Sequence, residues 1–210
     1  MTPFDQLASE YAARWSDTAD GRAQRAQVWR EIDRLFRAGD RVLDLGCGAG
    51  DDAVHLQENG VEALGIDSSA LMVEIARDRG VIAQQRPIED LQYLDGPFTG
   101  VISNFGALNC VRDLPAVARE LARVVRPAGP AAFCIMGRFS WGETWRYLRS
   151  FEVRKAARRW SGHAQWRGLD VYYRSTREMT QCFAPYFRLE RRVSIGAGDH
   201  QLYLFRRRTE

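Results

Sequence analysis

The sequence predicts an α/β fold built on a parallel sheet with helices on both faces. Three observations carry that expectation. Short apolar runs alternate with helical segments from residue 41 to residue 136. The helical segments end at stop signals: Gly60, Gly80, and Pro127 with Gly129. A loop with glycines at 46, 48 and 50 directly follows the first apolar run. Strands separated by single helices require parallel crossovers, which cover both faces of a sheet.

Residues 1–38 read as N-terminal helices. Phe4, Leu7, Ala8, Tyr11 and Trp15 recur at three- and four-residue spacing. Val28, Ile32, Leu35 and Phe36 repeat the pattern beyond a break at Asp20-Gly21. The core, 39–137, then alternates. Strands are expected at Arg41 to Leu45, Val61 to Ile66, Val81 to Gln85, Gly100 to Asn104 and Pro130 to Met136. Helices are expected at Asp51 to Asn59, Ser69 to Arg79 and Asp113 to Val125. Beyond Gly137 the alternation stops. Residues 138–177 form a basic, aromatic insert. Leu169 to Arg174 reads as a short strand within it. Residues 178–210 complete a helix from Thr176 to Ala184 and add strands at Phe187 to Ile195 and Gln201 to Arg207. The Gly-Ala-Gly-Asp turn at 196–199 makes those two strands an antiparallel hairpin.

The 210 residues suit one domain, 45% apolar and 27% charged. The longest strictly apolar run, Ala131 to Met136, is far short of the ~20 residues that span a bilayer. Met1 to Glu10 holds two acids and no base, so no secretory signal is expected. The four cysteines, at 47, 110, 134 and 182, form no CxxC pair, and no metal site is expected. They read as reduced thiols of a cytoplasmic protein.

The segment Val42-Leu-Asp-Leu-Gly-Cys-Gly-Ala-Gly-Asp-Asp52 is where a ligand is expected. Glycines between a strand and a helix allow positive φ and close backbone approach. In an open parallel sheet, ligands sit beyond the C-terminal strand ends. A dinucleotide fingerprint would have glycine where Asp51 stands. Asp51 and Asp52 would repel a pyrophosphate and suit a cationic nucleoside, with Asp44 adding a third carboxylate. This argues against a nicotinamide-dependent oxidoreductase. Asp67 ends the second strand, where an acid accepts ribose hydroxyls. Its other reading is a cap for the helix at Ser68-Ser69.

These residues resemble the class I S-adenosylmethionine-dependent methyltransferases over most of residues 4–137. VLDLGCGAGDDAVHL resembles the family's first motif and LGIDSSALMVEIAR its second. IEDL at 88–91 resembles the adenine region. Val101 to Asn109 resembles the motif after the fourth strand, and ELARVVRPAG the helix and turn before the fifth. The resemblance implies a Rossmann-like sheet of seven strands with an antiparallel last hairpin. It implies N-terminal helices and a helical lid insert after the fifth strand. It implies S-adenosylmethionine as cofactor, leaving S-adenosylhomocysteine as product. By the same likeness the loop at Asp44, Gly46, Cys47, Gly48 and Gly50 holds the methionine part. Asp67 and Ser68 hold the ribose, and Ile88 and Glu89 lie by the adenine. Asn104 and Phe105 lie next to the expected methyl group. Tyr11 either closes over the cofactor carboxylate or packs as a helix aromatic. One departure is the acid often found just after the third strand, where this chain has Pro87.

Methyl transfer from a sulfonium needs alignment and a dry site more than a base. Asn104, Tyr172 and His163 are the catalytic candidates. Asn109 either orients the acceptor or satisfies a turn. His55 reads as a helix-face residue. Segment 138–177 has 10 basic and 3 acidic residues, and residues 139–173 hold nine aromatics. Trp145, Leu148, Phe151 and Trp160 suit an inner apolar stripe, with arginines outside. A lid over a small, carboxylate-bearing or otherwise anionic substrate is the preferred reading. A basic amphipathic surface presenting a lipid-like substrate at a membrane is the second. RNA contact is disfavoured for want of a motif, and a cofactor-binding protein without catalysis is the last. The net charge of +3 divides into −6 over residues 1–137 and +9 over 138–210. That split assigns the acids to the cofactor and the bases to the acceptor.

Overall fold

The computed structural model describes Asp5 and residues 18–138, 161–166, 168–196 and 200–209. The expectations for Tyr11 and its helix, for the stripe Trp145, Leu148, Phe151 and Trp160, and for the centre of the last turn lie outside the described residues.

Helix α1 (Ala19–Ile32) starts on Thr18, whose hydroxyl accepts from the Gly21 amide at 3.0 Å. Asp20-Gly21 is therefore the first turn of this helix and not a break before it. Strand β1 (Arg41–Leu45) leads through the glycine loop into α2 (Asp51–Glu58). Strand β2 (Glu62–Asp67), α3 (Ala70–Asp78) and β3 (Ile82–Gln85) follow. A 3-10 turn at Ile88–Tyr93 precedes β4 (Gly100–Ser103), and another at Ala107–Cys110 follows it. Helix α4 (Leu114–Val124) and β5 (Pro130–Met136) complete the alternating part. Next come β6 (His163–Trp166), β7 (Leu169–Tyr172), α5 (Thr176–Phe183), β8 (Phe187–Ile195) and β9 (His200–Arg207).

The main sheet has seven strands in the order β3-β2-β1-β4-β5-β9-β8. Strands β1 to β5 are parallel, and β9 pairs antiparallel with both β5 and β8. The chain winds outward from β1 to β3, then returns across β1 to begin β4. The strand order therefore switches between β1 and β4, which opens a crevice at their C-terminal ends.

Alternation along the strands divides the core in two. Leu43, Leu45, Val101, Phe133, Tyr203 and Phe205 face α4 and α5. Val42, Ile102, Ala132, Cys134, Leu202 and Leu204 face α1, α2 and α3. Helix α4 buries Leu114, Val117, Ala118 and Leu121, the spacing that lines one helical face. Each fully buried leucine or valine there is worth about 1.5–3 kcal/mol.

Strand β6 was not expected from the sequence. It pairs antiparallel with β7 as a separate two-stranded sheet. Gly168, at φ +81°, turns the chain between the two. No helix among the described residues is long and apolar enough to cross a membrane.

Candidate functional site at the ends of β1, β2 and β4

The glycine loop is built on β2. The Gly46 and Cys47 amides donate to the Ile66 carbonyl at 2.8 and 3.0 Å, drawing the chain sharply away from β1. Gly46 has φ +69°, and a Cβ there would stand 2.3 Å from the Ala107 Cβ. Gly48 has φ +53°, but nothing lies within 4 Å of a Cβ placed on it. One glycine makes room for the turn after β4. The other faces open space. Gly50 caps α2.

Asp67, the last residue of β2, accepts from the Gly48 amide on Oδ2 and from the Ser69 amide on Oδ1, both at 2.9 Å. Burial raises its carboxyl above the ordinary value, while the Ser69 and Gly48 amides oppose the rise. It therefore belongs to the loop as well as to the strand end. Ser69, not Ser68, caps α3, its hydroxyl accepting from Met72 at 3.2 Å and donating to Asp5 at 2.5 Å. Ser68 is half-buried beside Asp67.

Asp44 is buried near the end of β1, and its Oδ2 has no hydrogen-bond partner among the described residues. Burial, and then the Asp52 charge, push its carboxyl well above the usual range, against Arg25. Cys47 is buried under Gly65, and burial with the Asp44 charge pushes its thiol far up. Ile88 is buried, with its Cδ1 3.7 Å from a Cβ built on Gly46. Glu89 is exposed.

After β4 the chain turns through two consecutive left-handed residues, Phe105 at φ +53° and Gly106 at φ +98°. A bulky side chain in that region is strained, a feature concentrated at functional sites. Asn104, just before them, is 7% exposed, and neither Oδ1 nor Nδ2 has a partner among the described residues. Buried amides are nearly always hydrogen-bonded, so this pair of atoms points to a ligand. Asn109 differs. Its Nδ2 donates to the Met136 and Tyr172 carbonyls at 2.9 and 2.8 Å, and its Oδ1 accepts from the Met136 amide at 2.9 Å. It ties β5 and β7 to the turn after β4, which is the turn-satisfying role.

A cleft runs over these ends. Arg25, Gly46, Cys47, Gly48, Ala49, Asp51, Asp52, Asn104 and Phe105 line it. Arg25 was not foreseen. It extends from α1 on the face that also carries Val28 and Ile32, a cation at an inward-facing position of an amphipathic helix. That placement was the available signal.

The electrostatic reading of the loop needs correction. Arg25 pairs with Asp51 at 3.3 Å and Asp52 at 3.0 Å, and Arg79 pairs with Asp51 at 2.7 Å. The Trp29 indole also donates to Asp52 at 2.7 Å. The two acids at the start of α2 are thus balanced by two arginines distant in sequence. Their charge does not stand open to a cation.

The other candidates lie together on the small hairpin. The His163 Nε2 is 2.9 Å from Asp170 Oδ1, and its ring centroid is 5.0 Å from that of Tyr172. Arg174 lies 5.2 Å from the Tyr172 ring. It donates to the carbonyls of Leu108, Val111 and Arg112. With Asn109, these bonds fasten the hairpin to the turn after β4. His55 stacks on Trp29 at 4.1 Å and pairs with Asp33, as befits a helix-face residue.

Residues 42–129 match a family model described as a methyltransferase domain. Over those residues the chain is similar to a methyltransferase domain, and its sheet has the fold of the S-adenosylmethionine-dependent methyltransferases. A 2-phytyl-1,4-naphtoquinone methyltransferase of Synechococcus elongatus is 37% identical over 64% of this chain and 62% of its own length. A demethylmenaquinone methyltransferase of Symbiobacterium thermophilum is 29% identical over 60% of this chain and 54% of its own. The chain thus spans about half to three fifths of the length of these relatives. A solved S-adenosylmethionine dependent methyltransferase from Mesorhizobium loti has the same fold. It superposes with a TM-score of 0.65 at 17% identity, over 85% of this chain and 97% of that one. The methyltransferase fold accounts for the switch between β1 and β4 and for the antiparallel last hairpin.

Proposed function

We propose that the chain transfers a methyl group from S-adenosylmethionine to a small molecule bound beyond the end of β4. The observation that carries this reading is Asn104, buried with both amide atoms unpartnered among the described residues in the cleft that Gly48 also lines. The donor set suits the cofactor. Asp67 presents a carboxylate for the ribose hydroxyls. Ile88 offers an apolar wall for the adenine, with Ser68 and Glu89 flanking ribose and base. The loop at Gly46, Cys47, Gly48 and Gly50, over the buried Asp44, gives the methionine part a backbone floor.

When bound, S-adenosylmethionine supplies a methyl group on a good leaving group. The protein's work is to orient the acceptor and exclude water. Alignment of that kind is worth up to about 7–11 kcal/mol in favourable cases. Asn104 and Phe105 border the acceptor side. For an acceptor that must lose a proton, the Asp170–His163–Tyr172 group is the proton-handling set.

The acceptor class we infer is a quinone-type ring, because both sequence relatives are named for quinone acceptors. A carboxylate-bearing acceptor is the second reading, favoured by the ten basic against three acidic residues of 138–177. Calorimetry with S-adenosylmethionine, S-adenosylhomocysteine and NAD tests the cofactor. Binding of NAD without the other two would overturn the reading. Labelled methyl transfer into reduced quinones, small carboxylic acids and a cell extract tests the acceptor. Bound cofactor with no transfer to any of them would favour a protein that binds without catalysing.

A further inference from the structure

We propose that His200 binds the methyl acceptor through its imidazole, an inference that rests on the acceptor lying beyond the end of β4. His200 is the first residue of β9. It pairs with Met136, the last residue of β5, and with Ile195, the last of β8. Its place is therefore the sheet end at which the crevice opens. Side chains alternate along a strand, so His200 shares a face with Leu202 and Leu204, which pack toward α1. On that face apolar side chains give way to polar ones as the strands reach the crevice. Val42 is followed by Asp44 on β1, and Ile102 by Asn104 after β4. Toward the same end of β9, Leu204 and Leu202 give way to His200. Asp44 is level with Ile102, and Ile102 with Ala132 and Leu204. Asn104 and then His200 stand successively farther out. Packing alone would favour a hydrocarbon at such positions. A polar group there costs desolvation, which a polar ligand offsets.

Phe105 joins His200 to the cleft. Their ring centroids are 5.6 Å apart with planes at 76°, an edge contact. Phe105 lines the cleft together with the glycine loop, which lies toward β1, whereas β5 and β9 lie on the other side of β4. Met136 covers the same turn, its Cε standing 3.2 Å from a Cβ built on Gly106. Phe105, Met136 and His200 thus make a wall that is apolar over most of its length and polar at the β9 end. The Asn104 amide supplies the polar group at the β4 end. Helix α1 braces the far end, the Gly196 amide donating to Gln27 Oε1 at 2.9 Å. Apolar walls with a few placed polar groups are the usual form of a small-molecule site. This one suits an acceptor with an apolar body and a hydrogen-bonding atom at its edge. The role of His200 is to orient that atom, apart from the proton handling assigned to His163.

The experiment uses protein saturated with S-adenosylhomocysteine, and 1,4-naphthohydroquinone, kept reduced, as the acceptor probe. The chain has three histidines, so its imidazole proton spectrum is simple, and the His200→Gln variant assigns the His200 resonance. That resonance should move saturably as probe is added. The resonance of His55, which stacks on Trp29, should not. In calorimetry His200→Phe, which keeps the edge contact and loses both nitrogens, should weaken the probe at least about fivefold, as for one lost hydrogen bond. His200→Gln keeps a hydrogen-bonding group and should recover part of that loss. Both variants should bind S-adenosylhomocysteine as the wild type does. Three results would overturn the inference. One is a His200→Phe variant that binds the probe as tightly as wild type. Another is probe that binds without moving the His200 resonance. The third is a pair of variants that weaken probe and S-adenosylhomocysteine by one factor, which would make His200 a packing residue only. If His200→Phe does not fold, the wild-type resonance and His200→Gln decide. Wild-type protein that binds S-adenosylhomocysteine but not the probe removes the His200 assignment together with the quinone-type acceptor. Failure to bind S-adenosylhomocysteine removes the cofactor reading itself.

Discussion

The Asp67 carboxylate accepts the Gly48 amide at 2.9 Å, so the end of β2 and the turn of the glycine loop form one unit. An acid expected to meet the ribose also holds the loop proposed to meet the methionine part. Asp67→Ala should therefore do two things. Cofactor affinity should fall by at least about tenfold, since charge-assisted hydrogen bonds are worth ~1.5–3 kcal/mol. The melting temperature should fall as well, because the Gly48 and Ser69 amides lose their acceptor. Asp67→Asn keeps an acceptor oxygen and should recover more stability than affinity. Calorimetry and thermal melts on the same samples separate the two effects. Because burial raises this carboxyl above its ordinary value of 3.8, protonation begins at a higher pH than for an exposed aspartate. Affinity should be full well above that raised value and decline as the pH falls through it.

Gly46 and Gly48 both have positive φ, yet their alanine variants should fail differently. Gly46→Ala drives a methyl into the Ala107 Cβ, only 2.3 Å away, and should destabilise the fold by ~2 kcal/mol or more. Gly48→Ala meets nothing and carries only the left-handed penalty, ~1–2 kcal/mol. Its larger effect should be on cofactor affinity, because the added methyl enters the open cleft. A Gly48→Ala protein with wild-type affinity would show that the space over this residue is not used.

Asn104 and Asn109 are separated by one turn of chain and by opposite hydrogen-bond states. Asn109 makes three hydrogen bonds and is fully buried. Asn109→Ala should cost ~2–4 kcal/mol in denaturant unfolding, since each buried group left unsatisfied costs about 1–3 kcal/mol. Asn104 has none, so Asn104→Ala should leave stability nearly unchanged or slightly raised. Turnover should drop with it. A strongly destabilised Asn104→Ala would mean that the amide has a structural partner after all.

Helix α5 opens on a capping box in which Ser175 and Glu178 satisfy one another's backbone amides. Glu178 also pairs with Arg138 at 3.5 Å. Hydrogen bonds from Ser175 hold the Glu178 carboxyl below its ordinary value of 4.5. A depressed carboxyl contributes stability that is present above the unfolded value and lost as the pH falls through the folded one. Ser175→Ala should cost about 1 kcal/mol at neutral pH. That difference from wild type should shrink below about pH 4.5, as Glu178 protonates in both proteins. Unfolding curves at neutral and acid pH measure it.

Much of the fold was legible in the chain because its signals are local. Strand β5 spans Pro130–Met136 and β8 spans Phe187–Ile195, both as read from apolar runs and their turns. The switch crevice followed from the glycine loop standing between a strand and a helix. Strand β6 was hidden because His163, Ala164, Gln165 and Trp166 have no apolar alternation, and three of them are exposed. Only pairing with β7 makes them a strand.

The sequence by itself determined the order of strands and helices from β1 to β5, the glycine loop, and the acid at the end of β2. Those depend on periodicity and on residues within one crossover. Only the tertiary structure decided what the charges do. Asp51 and Asp52 look like an open acidic site along the chain, but α1 brings Arg25 against them, and Arg79 reaches Asp51 from behind α3. Likewise Asn104 and Asn109 are alike in sequence, and only the arrival of β5 and β7 beside one of them makes it structural. Charge balance and hydrogen-bond satisfaction are set by neighbours distant in the chain, and packing, not spacing, chooses those neighbours.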